Sequence, residues 1–144
     1  MLSLMSVTSP SNPQKQLIPF FSVRIAAGFP SPAEDHIEKA LDLNELCVHH
    51  PAATYFVRVQ GESMIEAGIH DGDILVIDRS IRARHGHIVI ASMDGEMTVK
   101  ALHLEPPPVK LIPRNRHLEP ITLTDDQTLE VFGVVTSVVR QLGV

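Results

Sequence analysis

Two residues of this chain can do chemistry together. Ser63 lies in Gly61-Glu-Ser-Met64, just after the strand-like run Thr54-Tyr-Phe-Val-Arg-Val59, with Gly68 following five residues later. A tight corner entering one helical turn lets a serine side chain project freely and leaves backbone N–H groups pointing outward, where they can stabilise an oxyanion. The amides of Glu62 and Ser63 are the candidates for that role, and Gly61 lets a substrate backbone come close. A serine hydroxyl is a weak nucleophile near neutral pH and needs a base. Lys100, in Thr98-Val-Lys-Ala-Leu102, sits in an otherwise apolar strand pattern. Aliphatic neighbours strip solvent from its charged form and lower its pKa, which suits it to act as a neutral general base. Ser63 as nucleophile with Lys100 as base is the Ser-Lys variant of a serine peptidase.

Other readings of the same residues compete. Ser63-x-x-Glu66 fits a capping box, in which the serine oxygen accepts an N–H and the glutamate reaches back. Lys100 can equally snorkel to solvent along an apolar surface. Among eight histidines, His49 and His50 lie near the single cysteine, Cys47, and His85 and His87 are two apart. Cys47-Val-His49 is too local to form a cysteine peptidase site, and no carboxylate or cysteine completes a metal set around His85 and His87, so no metal or other cofactor is expected.

The serine and lysine need rigid elements to hold them, and the pattern after Pro51 supplies strands. Thr54–Val59, Asp73–Asp78 and His87–Ser92 alternate or run continuously apolar. Asp94-Gly95 between His87–Met93 and Glu96–Leu102 is a strong hairpin signal, because both turn positions tolerate positive φ. Val109–Ile112, Ile121–Leu123 and Leu129–Val139 complete the set, with Gly133 expected at a bulge. The resulting fold class is mostly β, a curved or closed antiparallel domain. Before it, Ala33–Cys47 carries Ile37 and Leu41 at near-helical spacing and predicts a short helix or two. Residues 1–27 are polar and broken by proline, as in Ser9-Pro10 and Asn12-Pro13, and predict a flexible arm whose apolar patch Leu17–Val23 docks as an extended strand. The division expected is therefore an arm over 1–27 and a β domain over 28–144.

Bulk composition narrows the function classes. The chain has 144 residues, 44% of them hydrophobic but only 4% aromatic, so aliphatic side chains must build one core. A formal charge of -5 has the wrong sign for holding nucleic acid through its phosphates, and direct binding is not expected. The local run Arg79, Arg82 and Arg84 reads as a solvated loop. One cysteine allows no internal disulfide, and no secretory signal or membrane-length apolar stretch is visible, so the expected setting is cytoplasmic and away from membranes.

Three separated blocks, Gly61-Glu-Ser-Met64, Gly68-Ile-His-Asp-Gly-Asp73-Ile-Leu-Val-Ile-Asp78 and Thr98-Val-Lys100, resemble the LexA/UmuD superfamily of self-cleaving Ser-Lys peptidases, and the 37-residue step from Ser63 to Lys100 fits that family. The resemblance runs from about Phe20 to Leu142. Ala27-Gly28-Phe29-Pro30-Ser31-Pro32 is similar to the cleavage segment of the UmuD branch, although UmuD has cysteine where this chain has Ala27; LexA-type sites use Ala-Gly. Asn44, Tyr55-Phe56 and Val131-Phe-Gly-Val-Val135 also look like the UmuD branch, and the short arm leaves no space for a DNA-binding module. The resemblance implies a LexA C-terminal type of β domain and a homodimer. It also implies cleavage between Ala27 and Gly28, stimulated by the RecA filament on single-stranded DNA after DNA damage. The product would then join a UmuC-type Y-family polymerase in error-prone translesion synthesis.

The alternatives are a non-catalytic dimeric module that regulates a polymerase, with the capping box intact, and a soluble protease similar to signal peptidase. An arm carrying a small-residue site can reach a serine corner on its own or its partner's domain, where local concentration replaces substrate affinity.

Overall fold

A computed structural model of the chain describes residues 14–21, 25–28 and 37–143. Contacts divide it after His49, and the two units are described separately.

In the first unit, β1 (Ile18–Phe21) pairs antiparallel with β2 (Ile37–Leu41), Ile18 lying opposite Leu41. The extended form expected of the Leu17–Val23 patch is seen over those four residues; residues 1–13 and 22–24 of the expected arm lie outside the described residues. The helix expected over Ala33–Cys47 is shorter than its spacing suggested. Ile37–Leu41 is a strand, residues 29–36 are outside the description, and only α1 (Leu43–Cys47) is helical. Asp42 sets that start: in extended backbone, its Oδ1 accepts the Asn44 N–H at 3.0 Å. A capping carboxylate there separates helix from strand, and a long-range partner converts the preceding apolar spacing into a ladder.

The second unit is a seven-stranded antiparallel sheet. In chain order its strands are β3 (Thr54–Arg58), β4 (Ile74–Asp78), β5 (Ile88–Met93), β6 (Glu96–His103), β7 (Lys110–Ile112), β8 (Ile121–Thr122) and β9 (Leu129–Val139). Their order across the sheet is β3-β4-β9-β5-β6-β7-β8. The mostly β expectation holds, and the sheet is open rather than closed, with β3 and β8 at its edges. The long strand β9 joins the two halves. Its residues 129–134 pair with β5 and its residues 134–139 with β4, and Val134 faces both Val89 and Asp78.

Two bulges allow that change of partner. Phe132 is the extra residue opposite β5 and Thr136 the extra one opposite β4, so the irregularity expected at Gly133 lies beside it. Glycine is required at 133 by space: a Cβ there would stand 2.5 Å from Ile77 Cγ2. The β5–β6 hairpin turns through Asp94 and Gly95 at φ 52° and 85°, the positive pair of a type I′ turn.

The continuous apolar runs arise because both faces are covered. Val57, Leu75, Ile77, Ile90 and Val99 pack on one side with Met64 and Ile69, while Val89, Ala91, Leu102, Leu111 and Val134 form a second cluster. Strand β5 alternates between the clusters through Val89, Ile90 and Ala91, as a period of two requires.

Candidate active site

Ser63 is presented by a loop whose ends are tied together. Val59 N–H donates to Asp73 O and Gly72 N–H to Val59 O, both at 2.8 Å, and Gly61 N–H donates to Asp71 Oδ1 at 2.7 Å. Gly61 takes φ 95°, which turns the chain sharply out of β3. Met64 and Ile69, each 1% exposed, root the loop in the core on either side of a 3₁₀ turn over Ile65–Ala67. Ser63, between the glycine turn and the Met64 anchor, is half-buried.

Lys100 comes from the middle of β6, 37 residues away, and its Nζ stands 3.2 Å from Ser63 Oγ. The same Nζ donates to Val99 O at 3.1 Å and to Thr98 Oγ1 at 2.6 Å. No carboxylate is paired with it among the described residues, and burial pushes its pKa below the ordinary 10.5. The structure therefore brings together the two residues singled out by type, with the lysine desolvated as its strand setting implied.

The capping box does not form. The 3₁₀ turn begins after Met64 without a side-chain cap. Glu66 instead accepts from Arg116, at 2.8 Å from Nε and 3.2 Å from the backbone N–H. That leaves the Ser63 hydroxyl facing Lys100. Among the described residues, no acceptor is bonded to the N–H of Glu62 or Ser63. Ala27 and Gly28 are exposed in a bend of the first unit, on the chain between β1 and β2.

The histidines are engaged elsewhere. His50 Nδ1 lies 2.6 Å from Oδ2 of buried Asp78, whose Oδ1 accepts from the Ser80 hydroxyl at 2.6 Å. His87 Nδ1 accepts the Arg84 N–H at 3.1 Å, and His85 Nδ1 accepts the Leu104 N–H at 2.9 Å. In the basic run, Arg79 lies over the Phe132 ring at 4.2 Å and donates from Nε to Phe132 O at 2.9 Å. No helix among the described residues is long and apolar enough to cross a membrane.

Three groups around the site escaped the reading of residue types. Thr98 shares the Lys100 face of β6 and was legible as an i, i+2 neighbour on a strand. Asn115 donates from Nδ2 to Glu62 O at 3.0 Å. Arg140 forks onto Asp73 at the base of the serine loop, with Nε and Nη2 each 2.6 Å from a carboxylate oxygen.

A desolvated lysine at hydrogen-bond distance from a serine on a constrained corner is an arrangement that can perform Ser-Lys peptidase chemistry. The Peptidase S24-like family model matches residues 19–136. Protein MucA of Salmonella typhimurium is 50% identical over 124 residues, covering 83% of this chain and 82% of its own. Protein ImpA of the same organism is 47% identical over 136 residues, covering 92% and 90%. Protein SamA of S. typhimurium strain LT2 is 45% identical over 138 residues, covering 96% of each. The chain belongs to the S24-like peptidases, the self-cleaving serine proteases of the LexA/UmuD superfamily, within their UmuD-like branch of the SOS response.

Proposed function

We propose that Ser63 and Lys100 cut the chain's own Ala27–Gly28 bond. The observation that carries this reading is the 3.2 Å approach of Lys100 Nζ to Ser63 Oγ where burial favours the neutral amine. A neutral amine has two N–H groups and one lone pair. Val99 O can only accept, and Thr98 Oγ1 can take the second N–H, so the lone pair is left for the Ser63 proton.

As that proton passes to Lys100, Ser63 Oγ bonds to the Ala27 carbonyl carbon, and the amides of Glu62 and Ser63 hold the oxyanion. The C–N bond to Gly28 then breaks, and the leaving amine takes the proton from Lys100. Water, deprotonated by the lysine, attacks the Ala27 ester carbonyl; the bond to Ser63 Oγ breaks, and Lys100 returns the proton to that oxygen, which regenerates the serine and the neutral amine. Gly28 has no side chain of its own to obstruct the leaving side.

In this reading residues 1–27 are the removable arm and 28–144 the functional product, a cytoplasmic homodimer. It serves a UmuC-type Y-family polymerase, and a RecA filament on single-stranded DNA stimulates the cut. The failure of Ser63 to cap the turn favours the catalytic reading over a purely binding module. Addition of RecA-coated single-stranded DNA at neutral pH is expected to raise the rate of fragment formation about tenfold or more, by stabilising the cleavable arrangement. The check is a gel time course; an unchanged rate would remove the filament from the scheme.

A further inference from the structure

The segment after β7 holds the serine corner from one side. Glu66 N–H donates to Arg114 O at 2.8 Å, Arg116 Nε to the Glu66 carboxylate at 2.8 Å, and Arg114 N–H to Met64 Sδ at 3.4 Å. These contacts fix the turn beyond the nucleophile. Asn115 does something different, because its Nδ2 donates at 3.0 Å to Glu62 O, in the peptide group that joins Glu62 to Ser63. That peptide is trans. Its C=O and N–H therefore point in opposite directions in one plane, and the donor that fixes the Glu62 carbonyl also fixes where the Ser63 N–H aims.

Asn115 is itself oriented. Its Oδ1 accepts the His117 N–H at 2.9 Å, which assigns Nδ2 to the side facing Glu62, and the Leu118 N–H closes the turn on Asn115 O at 3.0 Å. Asn115 is half-buried, while its bond to the Glu62 carbonyl lies on the exposed side of the corner. The other partner of that carbonyl among the described residues is the Ile65 N–H, which donates to it at a longer 3.3 Å. Without Asn115 the Glu62–Ser63 peptide therefore keeps one weaker tether and loses its shorter bond.

We propose that Asn115 is a positioning residue that pre-aims the Ser63 N–H at the oxyanion by holding the Glu62 carbonyl from behind. This rests on the Ser63–Lys100 cleavage reading above and adds the group that orients its oxyanion donor. Asn115 is not among the hydrogen-bond partners of Lys100 in the described residues. Its loss should lower transition-state stabilisation while leaving the proton transfer unchanged.

The test is the self-cleavage rate of the full chain against pH for wild type, Asn115→Asp and Asn115→Ala. The aspartate keeps the size and the acceptor for His117 N–H but cannot donate to Glu62 O; the alanine removes the donor without adding charge. Deleting an oxyanion donor outright costs about a hundred- to a thousandfold, so misaiming one is expected to lower the plateau rate about ten- to a hundredfold. The midpoint of the pH profile, which reports Lys100, should stay where it is in wild type, and the thermal unfolding midpoint should change little. A plateau within threefold of wild type in both variants overturns the proposal. So does a lowered plateau accompanied by a moved midpoint, which would place the effect on Ser63 and Lys100. Cleavage by a Ser63→Ala chain run alongside is a separate result: it would remove the underlying reading, and the proposal with it.

Discussion

Replacing Lys100 with arginine is expected to stop self-cleavage at every pH from about 6 to 10, a loss of about ten-thousand-fold relative to the wild-type plateau. The proton of Ser63 needs a lone pair, and only the uncharged amine has one. Desolvation lowers the Lys100 pKa, so the neutral fraction grows as pH rises through that lowered value and then saturates. The wild-type rate should therefore climb with pH and level off below the range where an exposed lysine would do so. Arginine keeps the positive charge but does not deprotonate in this range, and it cannot enter the base-competent state. A purely electrostatic role for Lys100 predicts the opposite, an arginine variant close to wild type. The check is the rate of fragment formation for both proteins across that pH range.

Arg140→Ala is expected to destabilise the β domain and lower its urea midpoint, because it leaves the buried Asp73 carboxylate without its partially exposed partner. Asp73 is 1% exposed and takes both arms of the Arg140 fork at 2.6 Å, while the Arg140 Nη2 also donates to Gly68 O at 2.8 Å. Removing the guanidinium strands a carboxylate inside the loop that carries Ser63. The Arg140 hydrogen bonds, with help from the His70 N–H, hold the Asp73 pKa down to about 2 against an ordinary 3.8. Because the folded value lies below the unfolded one, this stabilisation is fully present above about pH 4 and is lost as pH falls through about 2. Urea unfolding at pH 7 should give the lower midpoint for Arg140→Ala, and the gap between variant and wild type should narrow on acidification. Equal stability at neutral pH would show that the pair contributes nothing.

Legibility from sequence followed the range of the interactions. Ser63 and Lys100 could be picked out because their neighbours along the chain, the Gly61 turn and the apolar strand 98–102, already determine corner geometry and desolvation. Strands β3 to β9 were legible because an aliphatic, aromatic-poor chain buries both faces of its sheet, and Asp94-Gly95 carries its turn chemistry locally. The reading failed where a distant residue decided. Ile37–Leu41 kept its helical spacing but found β1 as a strand partner. Glu66, placed for a capping box, was claimed by Arg116 from 50 residues away. Asn115 reaches Glu62 across 53 residues and Arg140 reaches Asp73 across 67, and neither carries a residue-type signal of its own. Closure to a barrel was not dictated by strand count either. The bulges at Phe132 and Thr136 let β9 bridge the two halves of the sheet while β3 and β8 remain edges.

The central claim is that Ser63 attacks the carbonyl of Ala27, and intact-mass measurement of the purified full chain tests it most directly. After incubation at alkaline pH, where Lys100 is neutral, wild type should yield two fragments, one ending at Ala27 and one beginning at Gly28. Ser63→Ala should remain a single uncut mass under the same conditions, since loss of the hydroxyl removes the nucleophile and no capping bond. Fragments from the Ser63→Ala chain, or a wild-type cut at any other bond, would contradict the account.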